Sequence, residues 1–399
     1  MPTRDSLSTV VCTGCSCLCD DIQLERLSKD SVKASNACDQ GREHLDAILD
    51  NIRPGTAYIE GKEVELKTAA AQIADLLRQS RYPLVAGLEH LGIQGQQVAT
   101  EIALSCSAVI DSSIGTDGRN TIFSLQREGT VTATLGEIAK SELVVFWFCN
   151  PDQSHPRFRE RFTQNDNCLN IDLDPRYANA SAQVCELLLS GQVLSNERVL
   201  ALTSQSIDDW NQFLARCLSA SKVSLIFQAQ ATTPEFDPSI DSLMSFVKQM
   251  NTSIRVVTIH LSGPNNKTGA ENVIAWSTGF PFAVSSGAQK RYHYLEYSAA
   301  TTLERKECDA ALLFLNANNT HDISGEMLAH LSKIPTVVCG SPPDMFDPQF
   351  LFICELRETG DWVRMDDVYL PVDLGCRGTG ESTIEFLQTV LNDLRFQKT

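Results

Sequence analysis

The sequence predicts an α/β fold of doubly wound parallel sheets, preceded by a small cysteine-rich segment. Three features carry that expectation. Short β-branched apolar runs alternate with helix-period patterns from residue 65 onward, polar segments directly follow several of these runs, and five of the fourteen cysteines crowd into the first 38 residues.

In chain order, strands are expected at residues 84–87, 108–111, 143–149, 169–173, 223–228, 255–260, 310–315, 336–339 and 351–354. Each is short and apolar at successive positions, as befits a parallel strand covered by helices on both faces. Helices are expected at 67–79, 94–106, 156–164, 207–219, 239–251 and 325–333, with a final one at 382–394. The stretch 189–206, rich in Ser, Thr and Gln, is the expected boundary between two α/β units. The chain therefore divides into 1–60, 61–200 and 201–399, with the two α/β units free to interleave. Segments 264–266, 316–321 and 341–344 follow expected strands and read as functional loops.

Composition narrows the function. With 399 residues the chain is long enough for two or three domains of ~150 residues. Its 33 basic and 50 acidic residues leave a net charge of −17, which repels phosphate backbones and anionic lipid, and no local basic patch offsets it. Neither nucleic acid nor membrane is an expected partner. The longest uninterrupted apolar run, 143–149, is far too short to span a bilayer, and the first eleven residues lack the apolar stretch of an export signal. The expected location is the cytoplasm, where a disulfide framework explains the cysteines poorly. Nine of them, from Cys106 to Cys376, are scattered, several inside apolar runs, and read as small buried hydrophobes.

The other five form a pattern. Cys12, Cys15, Cys19 and Cys38 give C-x2-C-x3-C-x18-C, a close-spaced trio with one distant partner. That suits a [4Fe–4S] cube, which takes one thiolate per iron. A tetrahedral zinc ion could use the same sulfurs, although structural zinc more often shows two C-x2-C knuckles; a metal-free cysteine-rich turn is the bland alternative. Cys17 is left over, either packing beside the quartet or replacing one of its members. Asp20 and Asp21 read as caps orienting backbone amides rather than as an acid/base pair.

Two later segments carry binding chemistry. Asn150-Pro151 ends an expected buried strand, and Arg157, Arg159 and Arg161 follow Pro156, so guanidinium groups sit where such a sheet presents anion sites. Arg159 and Arg161 read better as a solvated face. In Asp174-Pro175-Arg176 the carboxylate suits a ribose hydroxyl and Arg176 a phosphate, with a turn closed by an exposed ion pair as the alternative. His155, His260, His293 and His321 have no second ligand at metal-binding spacing and read as hydrogen-bonded loop residues. Gly375, Gly378 and Gly380 do not match a phosphate-cradling fingerprint and read as a turn.

The cysteine quartet with Asp20-Asp21 and Asn36-Ala37-Cys38 resembles the N-terminal cluster domain of molybdopterin or tungstopterin oxidoreductases, and more narrowly the B subunit of formylmethanofuran dehydrogenase. The resemblance runs on through Thr134-Leu135-Gly136-Glu137-Ile138, Trp147-Phe148-Cys149-Asn150-Pro151, Ser154-His155-Pro156-Arg157 and Asp172-Leu173-Asp174-Pro175-Arg176. It continues with Asn266-Lys267-Thr268-Gly269-Ala270, Trp276-Ser277-Thr278-Gly279-Phe280-Pro281-Phe282, Arg291-Tyr292 and Val363-Arg364-Met365-Asp366. The ordered series is specific where any one segment is weak. It implies Rossmann-like domains of the molybdopterin oxidoreductase type without the C-terminal β-barrel, which in this family is a separate polypeptide, so an obligate partner is expected. It also implies that Asn150, His155, Arg157, Asp174 and Arg176 line the cleft of the pyranopterin nucleotide.

One departure decides the expected function. In the dehydrogenase a cysteine or selenocysteine ligates the metal, and the next residue, a histidine, can serve proton transfer. A gap-free register puts Asp117 and Gly118 at those positions, and no cysteine lies between Cys106 and Cys149. Losing both the soft ligand and the proton carrier argues against carbon dioxide and formate chemistry. The resemblance then implies the B subunit of the bacterial formyltransferase/hydrolase complex, mainly structural, in tetrahydromethanopterin- and methanofuran-linked one-carbon metabolism. Its expected partners are the amidohydrolase-like A subunit, the β-barrel D subunit and the C subunit. A [4Fe–4S] cluster on Cys12, Cys15, Cys19 and Cys38 is expected as a staple, and a molybdopterin or tungstopterin guanine dinucleotide is not. The alternative is a working molybdenum or tungsten dehydrogenase in which Asp117, a harder ligand, holds the metal and carbon dioxide and the formyl group interconvert.

Overall fold

The computed structural model describes residues 8–28, 31–51, 55–115, 132–163, 167–171, 174–228, 238–263, 265–316, 322–344, 346–354, 356, 359–374 and 382–396. The chain forms two compact units. One comprises Met1–Thr116, Gly263–Arg364 and Val368–Thr399; the other, Asp117–Ser262 with Met365–Asp367, is inserted into it.

The first unit opens with an antiparallel sheet of β1 (Ser8–Val10), β2 (Ile22–Ser28) and β3 (Ser31–Ser35). The β1–β2 loop holds four of the N-terminal cysteines, and Cys38 lies between β3 and the helix Asp39–Asn51. The hairpin β4 (Thr56–Ile59) and β5 (Lys62–Val64) precedes the helix Leu66–Gln79, β6 (Pro83–Ala86), the helix Ile93–Ser105 and β7 (Val109–Asp111).

The inserted unit carries β8 (Leu143–Trp147), β9 (Cys168–Ile171), β10 (Lys222–Phe227) and β11 (Arg255–His260), all parallel in the order β11-β10-β8-β9. Its core sets Trp147 against Trp210, Phe213 and Phe246 from the flanking helices. The helix Ile207–Ser219 starts at a capping box in which Ser206 and Asp209 satisfy each other's backbone amides.

The chain then returns to the first unit with the helix Lys267–Thr278, β12 (Val284–Ser285), β13 (Arg291–Tyr292), β14 (Ala310–Leu315), β15 (Thr336–Gly340) and β16 (Phe350–Ile353). The hairpin β17 (Thr359–Val363) and β18 (Tyr369–Asp373) and the helix Thr383–Phe396 follow. The nine-stranded sheet runs β13-β12-β7-β6-β14-β15-β16-β4-β5, with a parallel centre from β7 to β16 and antiparallel pairs at both margins. One face is covered by the helices Leu66–Gln79, Ile93–Ser105 and Thr383–Phe396, the other by Ala299–Glu304 and Gly325–Leu331. The central strands are buried on both faces, which is why their sequences are apolar without alternation.

Strand order reverses between β6 and β14 in the first unit and between β8 and β10 in the second, and such reversals open a crevice at the carboxyl ends of the strands. At the first reversal Gly87 has φ +85°, and a Cβ there would lie 2.2 Å from the Phe314 carbonyl oxygen, so only glycine admits this approach.

The expected α/β class with parallel sheets is the observed one. The stretch 189–206, expected to separate two units, instead lies inside the second unit and carries the helix Asn196–Thr203, capped by Ser195. The helix expected at 156–164 is shorter, Phe158–Phe162, and is preceded by another short helix, Pro151–Ser154. His155, between them, precedes a proline and takes φ −140° and ψ 65°, which interrupts the helical path. Among the described residues no helix is long and apolar enough to cross a membrane. Gly375, Gly378, Gly380 and His321 lie outside the described residues.

Candidate functional site

The cysteine loop is a tight backbone construction. The Cys12 N–H donates to the Cys19 carbonyl at 2.8 Å, and the Leu18 N–H to the Cys15 carbonyl at 3.2 Å, closing a turn that puts Leu18 at φ 41°. Val11 and Leu18 anchor the loop on the β17–β18 hairpin through Trp362 and Val372. Asn36 Nδ2 donates to the Asp21 carbonyl at 3.1 Å, tying the Cys38 segment to the loop. Arg42 donates to the Ala37 carbonyl at 2.7 Å and pairs with Asp39. His44 reaches back from the following helix to Thr13 Oγ1 at 2.9 Å, and its ring packs over Gly14.

This folding brings Cys12 and Cys38 to the same glycine. Gly41 lies against two of the sulfurs at once: a Cβ there would stand 3.3 Å from Cys12 Sγ and 3.4 Å from Cys38 Sγ, and the Gly41 N–H donates to Cys38 Sγ at 3.3 Å. Burial pushes the Cys12 thiol up to about 12; the Gly14 N–H opposes this, and the neighbouring Cys15, Cys19 and Cys38 sulfurs add to it. The Cys15 thiol is held below its ordinary range, first by a hydrogen bond from the Cys17 thiol and, against the opposing effect of burial, also by the Cys17 backbone N–H. Cys17 is fully buried, Cys12 and Cys19 nearly so, and Cys15 and Cys38 are half-buried.

Among the described residues no group of three or more His, Cys, Asp or Glu side chains is placed to hold a metal ion. A lone zinc ion with Zn–S bonds of about 2.3 Å would draw four sulfurs to within about 4 Å of one another. A four-iron cube places one thiolate at each corner and needs a wider set.

The second candidate region is the carboxyl edge of the inserted sheet. Asn150 follows β8 and accepts the Asp152 N–H at 3.1 Å, capping the short helix that begins at Pro151. Cys149 lies 3.4 Å from the Ile226 carbonyl, and burial pushes its thiol up to about 12. His155, 2 % exposed, donates from Nε2 to the Ser262 carbonyl at 3.1 Å and accepts from Ser154 Oγ at Nδ1, 2.8 Å away. Burial lowers its pKa to about 4, so it is a neutral imidazole.

The arginines here have carboxylates of their own. Arg159 binds both Asp152 oxygens at 2.9 and 3.0 Å and the Asn170 side chain at 2.8 Å, and lies 3.9 Å over the Phe146 ring. Arg157 pairs with Glu160 at 3.0 Å. Beyond β9, Asp174 accepts the Arg176 N–H at 3.0 Å and pairs with the Arg176 guanidinium at 3.1 Å, both side chains exposed. The structure thus brings Asn150, Asp152 and Arg159 together, with His155 in the adjoining turn, and joins Asp174 to Arg176.

Asp117 and Gly118 lie outside the described residues. The strand that leads toward them ends in Asp111, a buried carboxylate that accepts the backbone N–H groups of Ala283 at 3.3 Å and Ala299 at 2.7 Å and so clamps two returning segments. Asn266, also buried, accepts the Val363 N–H at 2.9 Å and donates to the Leu91 carbonyl at 3.0 Å. Sequence reading did not single out Gly41, Asp111 or Asn266 for these roles. Only Gly41 carried a local signal, a glycine three residues past a cysteine.

No protein-family model matches the chain. Over 407 residues, 92 % of either chain, it is 25 % identical to the B subunit of the tungsten-containing formylmethanofuran dehydrogenase 2 of Methanococcus maripaludis. It is likewise 25 % identical to the protein of the same description from Methanocaldococcus jannaschii over 369 residues, 84 % of each. Its fold matches a chain in the crystal structure of the formyltransferase/hydrolase complex (FhcABCD) from Methylorubrum extorquens in complex with methylofuran. The TM-score is 0.67 at 16 % identity, covering 86 % of this chain and 99 % of that one. The class is that of α/β proteins related to formylmethanofuran dehydrogenase. Within it, the chain is similar to the B subunits over most of its length.

Proposed function

We propose that the chain is the B subunit of a formyltransferase/hydrolase-type complex in one-carbon metabolism linked to tetrahydromethanopterin and a methanofuran-like carrier. Its role is mainly architectural, and the molybdenum or tungsten centre is lost. The observation that carries this reading is the lack of any cysteine between Cys106 and Cys149, the interval that follows β7 and supplies the metal thiolate in the dehydrogenase. Asp117 and Gly118 stand in that interval, and neither offers a soft ligand or a proton carrier. The ion pairs of Arg157, Arg159 and Arg176 support the same reading, since guanidinium groups already matched to carboxylates are poor dinucleotide ligands.

The partners are an amidohydrolase-like A subunit, a β-barrel D subunit and a C subunit, in a cytoplasmic assembly. Among the described residues only the β17–β18 hairpin and one helix follow the large sheet, which supports a barrel supplied by a partner. Cys12, Cys15, Cys19 and Cys38 would hold a [4Fe–4S] cluster, which supplies a covalent cross-link between the β1–β2 loop and the segment after β3.

A second reading has a specific observation in its favour. The two relatives at 25 % identity belong to tungsten-containing dehydrogenases, and a carboxylate at Asp117 could ligate a hard metal. Metal analysis of the anaerobically purified complex separates the two. Iron at about four per chain without molybdenum or tungsten is the expected result. Near-stoichiometric molybdenum or tungsten would overturn the architectural reading and make Asp117 the residue to substitute.

A further inference from the structure

The β17–β18 hairpin has two faces, and alternation along β18 separates them. Leu370 and Val372 lie on one face, where with Trp362 they carry Val11 and Leu18 of the cysteine loop. Tyr369, Pro371 and Asp373 lie on the other, and all three are exposed. Val363 pairs with Tyr369 and Asp361 with Pro371, so both belong to this second face. Val363 is buried against Ile93 and Val273, which seats the face on the helices Ile93–Ser105 and Lys267–Thr278. One turn beyond Val273 the second of these helices carries Trp276, whose ring stacks on Tyr369 with centroids 6.4 Å apart and planes 18° from parallel.

The stack is left in water. Trp276 is 59 % exposed, Tyr369 43 % and the adjoining Val368 37 %. Trp and Tyr dominate the centres of protein–protein contacts, and an exposed apolar group built around them is where a partner seats. Its surroundings say which kind of partner. The Asp361 carboxylate, on the same face, accepts from the Gln94 side-chain amide at 2.7 Å, a neutral donor that does not cancel its charge, and Asp373 lies further along β18. On the helix side, Lys290 directs its ammonium at the Ser277 carbonyl, 2.8 Å away. A second copy of the chain would bring the same carboxylates and a further net charge of −17, which disfavours self-association. A guanidinium suits both parts of the surface, since it stacks flat on an aromatic ring and pairs with a carboxylate.

We propose that Trp276, Tyr369 and Val368, with Asp361 at their margin, form a docking surface for an arginine-bearing segment of another subunit of the complex. The proposal rests on the assembly reading above and adds to it the place and the chemistry of one contact.

The test measures assembly of the tagged full chain with its co-expressed partner subunits across a range of salt concentrations. Trp276→Ala and Tyr369→Ala should each weaken assembly by about tenfold to a hundredfold, whereas Tyr369→Phe keeps the ring and should assemble as the unaltered chain does. Asp361→Asn keeps an acceptor for Gln94 and removes only the charge, so it should weaken assembly a few-fold and flatten its dependence on salt. A benzophenone amino acid in place of Tyr369, photolysed in the intact complex, should cross-link to an arginine-containing peptide of another subunit. Unweakened assembly in both alanine variants would overturn the proposal and leave the assembly reading intact. Cross-linking to a second copy of the chain, or to no subunit of an intact complex, would overturn it as well. An unchanged salt dependence in Asp361→Asn would overturn the choice of a cationic partner. An unaltered chain that purifies with no other subunit would overturn the assembly reading itself, and this proposal with it.

Discussion

The cysteine loop and the carboxyl edge of the inserted sheet are both rich in polar groups at the ends of strands, yet those groups face different ways. In the loop, the Gly41 N–H is directed at the Cys38 sulfur, 3.3 Å away. At the sheet edge, Arg157, Arg159 and Arg176 are directed at Glu160, Asp152 and Asp174. Charge that is matched within the chain needs no ligand, whereas the loop presents thiols with no matching charge of their own. The difference teaches that strand-end polar groups can be spent on partners within the chain in one region and on sulfur in another.

The comparison is broken most directly at Cys12. Cys12→Ser should abolish iron retention in the purified complex, read by metal analysis, while a substitution at the sheet edge leaves iron unchanged. Retention of full iron in Cys12→Ser would erase the distinction between the regions.

The next effect belongs to the sheet edge and is read by pH. His155 has a folded pKa of about 4 against an ordinary 6.5. Between those values the unfolded chain takes up a proton that the folded one refuses, so stability falls as pH drops from 6.5 toward 4 and is fully present above 6.5. The loss amounts to about 3 kcal/mol. Urea denaturation at pH 7.5 and 4.5 should show a drop in the unaltered chain that is smaller by this amount in His155→Gln. Equal drops in the two proteins would mean that His155 is not held neutral by burial.

Gly41→Ala tests the cradle. A methyl group 3.3 Å from Cys12 Sγ and 3.4 Å from Cys38 Sγ forces both sulfurs to give by a few tenths of an ångström. The expected result is partial iron loss and a destabilisation of about 1–3 kcal/mol. Iron content equal to that of the unaltered protein would show that the sulfurs do not need Gly41.

The smallest effect is expected at Asp174→Ala, which removes an exposed pair and a turn cap. Stability should fall by roughly 1 kcal/mol or less, with iron content unaffected. A large loss of complex assembly would instead reveal a partner contact at this turn.

Much of the fold was legible because its strands are buried on both faces. The runs 255–260 and 310–315 are observed as β11 and β14 with the expected limits, since four β-branched residues in one and six apolar residues in the other, without a helical period, leave little choice. The two-residue strands β12 and β13 were not legible, because Val284-Ser285 and Arg291-Tyr292 pair only once the rest of the sheet exists. The insertion of the second unit was hidden for a similar reason: residues 189–206 are polar enough to suggest a linker, but Ser195 caps a helix there, and Val199 and Thr203 are buried beneath it. At the candidate site the cysteine spacing was readable, and the glycine cradle was not, because Gly41 matters through its distance to Cys12, 29 positions away.

Trp362 gives the cysteine loop a property that none of its own residues has. Of the four tryptophans, Trp147 and Trp210 lie in the core of the inserted unit, Trp276 is exposed, and Trp362 is fully buried directly beneath Val11 and Leu18. An iron–sulfur chromophore in the loop would absorb where this indole emits and drain its excitation. With a cluster in the loop, Trp362 would be the quenched one of three buried indoles, so part of the blue-shifted emission should return as iron leaves.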